Sequence, residues 1–325
     1  DPAFAPSPCG LACAVAEGPT LLQPPSGQTL HVTDLLFAAN TASVSGRQVH
    51  HRVAVSGRVT FDRCEIRSVT FALRADNATV HLQDCTVAAR GGASGPAAII
   101  ASNSDISIVG GSFDGAGAPG QPPSSLGGVA ISILGSRLQM SGAAASGGTP
   151  APGGQGRAAV VGTYSSSLWI SDSTLTGGAG NCAVVTQGGP LRLSRCTVVD
   201  GAGSANCWAS PIGSPMLGID RPEPLSPGST FSLEFTTTPN NLVGVFANHT
   251  LGTLDAPAVL AQPWWLAAGS SFPAGLMLAD QNGKANVSWT IPAGPGIAGL
   301  SLWIQGVSGV DFPLETSPVV GGVAR

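Results

Sequence analysis

Val80-His81-Leu82-Gln83-Asp84-Cys85-Thr86-Val87, then Ala89-Arg90-Gly91-Gly92, then Ala97-Ala98-Ile99-Ile100, is the stretch that decides the fold. Apolar and polar residues alternate in the first strand, a glycine-rich loop follows, and a second apolar strand opens the next copy. Ile106-Ser107-Ile108-Val109-Gly110-Gly111-Ser112-Phe113 repeats the pattern, with its loop at Asp114-Gly115-Ala116-Gly117 and its second strand at Val129-Ala130-Ile131-Ser132-Ile133. Leu138, Leu168 and Leu191 open three further copies. A strand-built repeat of roughly 20–30 residues without a helical period indicates a solenoid, here a parallel β-helix. Counting from the first apolar residue of each copy (Val59, Val80, Ile106, Leu138, Leu168, Leu191), the steps are 21, 26, 32, 30 and 23 residues. Insertions in a solenoid fall in loops on one face. The loops at 91–95, 115–128, 147–156 and 177–180 are therefore expected to form one nearly uncharged ridge.

The chain of 325 residues has room for two domains. Only 10% of residues are charged, lysine occurs once, at Lys284, and the net charge is −4. Neutralising phosphates needs clustered Lys and Arg, so nucleic acid is excluded as a partner. No apolar run approaches 18 residues, which excludes a membrane-spanning helix. A surface this poor in charge has little electrostatic protection against self-association.

Seven cysteines bear on the compartment. Cys64 and Cys85 occupy the same place in consecutive copies, about 4.8 Å apart on stacked strands, and are expected to form a disulfide. Cys182 and Cys207 each follow Asn and a Gly-Ala-Gly or Gly-Ser-Ala stretch and are expected to pair likewise. Cys9 and Cys13 would close a small N-terminal loop, leaving Cys196 as a buried free thiol. Two or more disulfides imply an oxidising, extracellular or cell-surface setting. There is no CxxC pair and no histidine near the cysteines, which argues against zinc, and no cofactor is implied.

Residues 1–28 are rich in Pro, Ala and Gly and read as an arm or cap; 29–210 carry the β-helix; 211–325 form a second region. Its opening contains Pro211, Pro215, Pro222 and Pro224, as a linker would. About seven short strands with tight turns, and Trp264, Trp265, Trp289 and Trp303, suggest a β-sandwich. The fold class is all-β throughout. In the second region, the turn Asp280-Gln281-Asn282-Gly283, Ile291-Pro292 at a strand end, and Gly299-Leu300-Ser301-Leu302-Trp303-Ile304-Gln305 resemble a C-terminal module of large secreted proteins of Planctomycetes-like bacteria. That resemblance covers roughly residues 215–325 and implies a surface or secreted setting rather than an activity. The solenoid resembles right-handed parallel β-helix proteins, which include pectate-lyase-like enzymes and many non-enzymes.

Polysaccharide lyases and hydrolases need clustered carboxylates, to hold Ca²⁺ or to act as acid and base. Here Asp84, Asp105, Asp114, Asp172 and Asp200 are scattered along the copies with no two adjacent in sequence, several at strand ends where Asp makes turns. Asp172 and Arg195 are expected to form a surface rung between coils. His50, His51 and His81 read as surface residues. Gly115-Ala116-Gly117-Ala118-Pro119-Gly120 matches a phosphate-loop pattern, but no helix follows it. No catalytic or metal-binding residue is assigned.

The expected function is therefore non-enzymatic: an extracellular or cell-surface structural protein that self-associates into an oligomer or polymer. Its contacts are expected in residues 1–23 (Phe4, Leu11, Val15, Leu21, Leu22) or in 312–320 (Phe312, Leu314, Val319, Val320), apolar segments too short to fold alone. The alternative is a carbohydrate-binding or polysaccharide-degrading β-helix protein whose partner is a surface polysaccharide, with Tyr164, Trp169 and Trp208 as sugar platforms.

Overall fold

A computed structural model describes residues 15–16, 20–22, 29–33, 36–38, 51–68, 71–89, 97–115, 127–148, 155–204, 216–219, 225–297 and 299–324. Seven coils stack in parallel. β1 (Val15–Ala16) stacks on the third strand of the first coil from its N-terminal side, and that coil itself contains β2 (Thr20–Leu22), β3 (Thr29–Thr33) and β4 (Leu36–Ala38). The second and third each run through one long bent strand and a short one: β5 (His51–Asp62) with β6 (Glu65–Ser68), then β7 (Phe71–Gln83) with β8 (Thr86–Ala89). Four three-strand coils follow: β9 (Ile99–Ser102), β10 (Asp105–Val109), β11 (Ser112–Gly115); β12 (Ile131–Leu134), β13 (Arg137–Ser141), β14 (Ala144–Gly147); β15 (Val160–Thr163), β16 (Ser167–Ser171), β17 (Thr174–Thr176); and β18 (Val184–Thr186), β19 (Leu191–Ser194), β20 (Thr197–Val199).

These strands make a three-sided parallel β-helix. The first face holds β2, the front half of β5 and of β7, β9, β12, β15 and β18. The second holds β3, the back halves of β5 and β7, β10, β13, β16 and β19; the third holds β1, β4, β6, β8, β11, β14, β17 and β20. The copy starts read from the sequence lie in register: Val59 opposite Val80, Val80 opposite Ile106, then Leu138, Leu168 and Leu191 in turn. Alternation sends one side chain in two to the interior. Leu73, Ile99, Ile131 and Val160 from the first face, Val80, Ile106, Leu138 and Leu168 from the second, and Ile66, Val87, Phe113 and Leu175 from the third share one core.

The corners explain how a strand turns without leaving the stack. Between first and second face every coil after the first passes through a left-handed residue: Gly57, Asn77, Asn103, Gly135, Tyr164 (followed by Ser165, also left-handed) and Gly188, with φ between 48° and 82°. Between second and third, Arg63, Asp84, Gly110, Gly142, Asp172 and Arg195 do the same, with φ between 50° and 65°, and Gly110 is followed by a second left-handed residue, Gly111. A single left-handed residue bends the chain sharply and lets both flanking strands keep their ladders. The first corner also buries serines: Oγ of Ser104, Ser136 and Ser166 accept the backbone N–H of Ala78, Ser104 and Ser136 at 3.0, 3.0 and 3.2 Å. Those amides would otherwise be buried without acceptors. At the third corner, where the loops leave, backbones approach closely; a Cβ on Gly147 would lie 1.8 Å from the Arg157 carbonyl oxygen. Most of the loop bodies expected to form a ridge, and the phosphate-loop-like stretch after Gly115, lie outside the described residues.

The stacked sheets reach back to Val15, ahead of the boundary expected at residue 29. In the described part of 1–23, β1 pairs with β4 and β2 with β5, and Leu22 is corrected as a contact for a neighbour because it is buried in the solenoid core. β1 and β2 each use one ladder edge within the chain, and among the described residues the other edge of each carries no strand. Phe4 and Leu11 lie outside the described residues.

The chain continues through β21 (Gly218–Ile219), β22 (Thr230–Thr236), β23 (Leu242–Asn248), β24 (Leu251–Leu254), β25 (Trp264–Leu266), β26 (Phe272–Leu278), β27 (Lys284–Thr290), β28 (Ser301–Ser308), β29 (Glu315–Thr316) and β30 (Val320–Val323). β21-β22-β27 form one antiparallel sheet, and β26-β23-β28, with β29 and β30 also on β28, form another. The two share a core of Leu217, Phe231, Leu233, Phe235, Val243, Val245, Ile304 and Val320. Val319 and Val320 are fully buried, so they too are corrected as contacts for a neighbour; Phe312 is exposed, and Leu314 bridges to Leu260. The motif residues punctuate this region. Asp280 accepts the N–H of Asn282 and Lys284 at 2.8 Å each, and these bonds hold its carboxyl below the usual range. Gln305 accepts the Trp265 N–H and donates to the Ser317 carbonyl, both at 2.8 Å.

Candidate functional site

The outward side of the second face should be solvated by strand alternation, yet it is covered by the C-terminal region. Its outward residues Thr60, His81, Gln83, Ser107, Val109, Gln139, Ser141, Trp169 and Ser171 are all buried. Val109 joins the core of the antiparallel sheets. Gln139 spans the junction: its Nε2 donates to the Thr316 carbonyl at 2.8 Å and its Oε1 accepts the Trp265 indole N–H at 2.5 Å. Gln83 Oε1 accepts the Gly321 N–H at 3.0 Å, and Ser141 Oγ both donates to and accepts from the Ile219 backbone at 3.2 Å. His81 bonds Ser107 Oγ through Nδ1 at 3.2 Å and meets the Trp303 ring edge-on, with centroids 5.4 Å apart. Its expected surface position is thus corrected. The second face is polar because its partner is polar, not because it faces water.

Arginines seal the margin. Arg195 holds Asp172 in a bidentate pair at 2.6 and 2.8 Å, the rung expected from the sequence, and reaches the Met216 carbonyl at 2.8 Å. Arg137 pairs with Asp105 at 2.5 and 2.8 Å and also contacts Asp255 from the C-terminal region. The Asp105 bond, against the opposing effect of burial, raises the Arg137 pKa further above its already high value. Arg58 donates to the Leu251 carbonyl at 3.1 Å.

The carboxylates weighed for catalysis are not gathered. Asp84 and Asp172 sit at left-handed corners, Asp105 and Asp114 on different faces, and Asp200 accepts the Ala183 N–H at 2.7 Å. Among the described residues no three His, Cys, Asp or Glu side chains group as metal ligands. The aromatic platform is not assembled either: Trp169 is buried on the covered second face, Tyr164 is exposed at a corner, and Trp208 lies outside the described residues.

Cys64 and Cys85 are free, which corrects the expected disulfide. The register was right, since Glu65 and Thr86 are partners, but in-register parallel strands hold equivalent atoms about 4.8 Å apart, beyond the roughly 3.8 Å a disulfide asks of its Cβ atoms. Each thiol instead donates to the carbonyl two residues before it and to the preceding coil: Cys85 to Gln83 at 3.3 Å and Phe61 at 3.4 Å, Cys64 to Asp62 and Val32 at 3.5 Å. Cys196, free as expected, makes the same pair of bonds to Ser194 and Ile170. Ser173 fills this slot with a hydroxyl in the coil before Cys196. Cys182 is disulfide-bonded, while Cys9, Cys13 and Cys207 lie outside the described residues. Burial, then the neighbouring Cys64 thiol, pushes the Cys85 pKa well up, and burial raises that of half-buried Cys196. Only the thiolate reacts. Iodoacetamide should therefore leave Cys64 and Cys85 unmodified in the native protein, modify Cys196 slowly, and label all three after unfolding. Peptide mapping that finds Cys85 alkylated as fast as Cys196 contradicts this packing.

Among the described residues, the coil of β18, β19 and β20 is the last of the stack, and each of these strands has one strand neighbour. Val198 occupies the inward position that Ile66, Val87, Phe113, Ala145 and Leu175 fill at 1% exposure or less, yet it is 41% exposed. Val199 beside it is exposed as well.

These features define a parallel β-helix with an antiparallel two-sheet region fixed along one face. No family model and no curated relative matches the sequence. Among solved structures it is similar to the full-length tailspike protein 2 of the Escherichia coli O157:H7 bacteriophage CAB120, at 10% identity and a TM-score of 0.30, over 86% of this chain and 48% of that one. The chain spans about half the length of that protein.

Proposed function

We propose that this protein is a non-enzymatic structural component of an extracellular or cell-surface assembly, and that its solenoid stacks head to tail on further copies. The open last coil carries the reading. Strands β18, β19 and β20 present ladder edges, and Val198 presents core-type apolar surface, where a further coil would continue the stack. At the other end, β1 and β2 each pair only once among the described residues, so a parallel continuation has an edge to meet. Joining unlike ends is a heterologous contact, and because the stacking runs along the solenoid axis it does not turn back on itself, so it yields a filament. The low charge of the chain leaves little repulsion to oppose it. A disulfide at Cys182 and the likeness of residues 215–325 to a secreted bacterial module support the exported setting.

The test is sedimentation velocity and negative-stain microscopy of the full chain and of Val198→Arg. The wild type is expected to form rods that lengthen with concentration, and the variant to lose them while its circular dichroism is unchanged. Wild-type protein that forms no rods at any concentration, or a Val198→Arg variant that forms rods as readily, rejects head-to-tail stacking.

A further inference from the structure

We infer that β26 is a second, lateral interface: it pairs antiparallel with β26 of another copy about a two-fold axis at Met277. This rests on different residues from the head-to-tail contact and is independent of it. Among the described residues β26 ends its sheet, bonded to β23 alone. Ala279, which continues the strand, exchanges backbone bonds with Asn240 and Asn241 on the β23 side. Backbone groups alternate in direction along a strand, so those of Met277 also face β23, whereas the N–H and C=O of Leu276 and Leu278 point to the open edge. Their side chains stand outward, 68% and 64% exposed.

Natural edges are blunted by charge, proline or bulges. Here Pro273 and a register shift between Val245 and Phe246 blunt only the beginning of β26, leaving 275–278 plain. No residue of Phe272–Leu278 is charged. The neighbouring edge strand β27 is a contrast within the same molecule, because its exposed residues are Asn286, Ser288 and Thr290. One edge of this region is polar, and the other carries leucines.

A strand edge selects an extended strand as its partner, and this edge is complementary to itself. With the axis at Met277, Leu276 of one copy lies opposite Leu278 of the other, twice. Each pair exchanges two backbone hydrogen bonds, four in all. Leu242, already opposite Leu278 across β23, extends the apolar row on both sides, and Gly244 opposite Leu276 leaves it unobstructed. With no charge on the strand, the two-fold brings no like charges together. The partner is therefore a second copy of this chain, and the product is a closed dimer rather than a filament.

The Val198→Arg background separates this contact from head-to-tail stacking. In sedimentation equilibrium, Val198→Arg is expected to show a monomer–dimer equilibrium, and Val198→Arg with Leu276→Lys to be monomeric. Leu276→Lys changes an exposed side chain, so near-ultraviolet circular dichroism should be unchanged. Asn286→Lys on β27 should leave the dimer intact. A Val198→Arg protein that is monomeric at all concentrations overturns the inference, as does a dimer that survives Leu276→Lys.

Discussion

Replacing Gly111 by alanine is expected to lower stability by about 3 kcal/mol, among the largest losses of any single methyl added to the solenoid. Gly111 stands in the corner slot that other coils fill with Cys64, Cys85, Ala143, Ser173 and Cys196, but its φ is +82°. A Cβ there would lie 2.2 Å from the Cys85 carbonyl oxygen and 2.7 Å from the Cys85 nitrogen, both backbone atoms that cannot swing aside. The coil must therefore shift against its neighbour. Gly142→Ala is the matched control: its φ is +64°, yet nothing lies closer than 3.9 Å, so only the backbone term of about 1–2 kcal/mol remains. Urea titration of both variants measures the difference. Equal losses would mean that close contact between coils is not what selects glycine at 111.

Gln139→Leu is expected to cost about 2–4 kcal/mol, the penalty of two buried polar groups left without partners. The side chain is fully buried, and leucine of similar size satisfies neither the Trp265 indole N–H nor the Thr316 carbonyl. The effect should be local to the junction. Hydrogen exchange should quicken around 262–266 and 315–317, while the solenoid strands on the first and third faces keep their protection. Uniform destabilisation without that local signature would show that the C-terminal region is not fixed through this residue.

The coil stack was legible because inward positions are chemically uniform. Val80, Ile106, Leu138, Leu168 and Leu191 announce their register by spacing alone, and the structure keeps it. The corners were not legible, since the left-handed slot accepts Arg63, Asp84, Gly110 and Asp172 alike; the backbone repeats and the letters do not. The first coil hid in a segment rich in proline and alanine whose strands are two and three residues long. The covered second face was the largest omission. His81, Ser107, Gln139 and Ser141 alternate with apolar residues just as solvent-facing positions do, and period-two alternation says which side a residue takes, not what lies beyond it. A signal was present: none of Ser107, Val109, Gln139, Ser141, Trp169 and Ser171 is charged, and Val109 and Trp169 are poor choices for water. For the cysteines, spacing gave the right neighbours but not the bond, because a shared register sets the distance between strands and not the approach of two sulfurs.

The open last coil at Val198 is the point on which the structural reading turns. The most direct test is electron cryomicroscopy of assembled full-length protein, with the subunit repeat measured along the rod. Head-to-tail stacking predicts that β18, β19 and β20 of one copy continue in parallel register into the first coil of the next, with Val198 enclosed at the junction. Rods in which the last coil faces solvent, or protein that remains monomeric at every concentration, would contradict it.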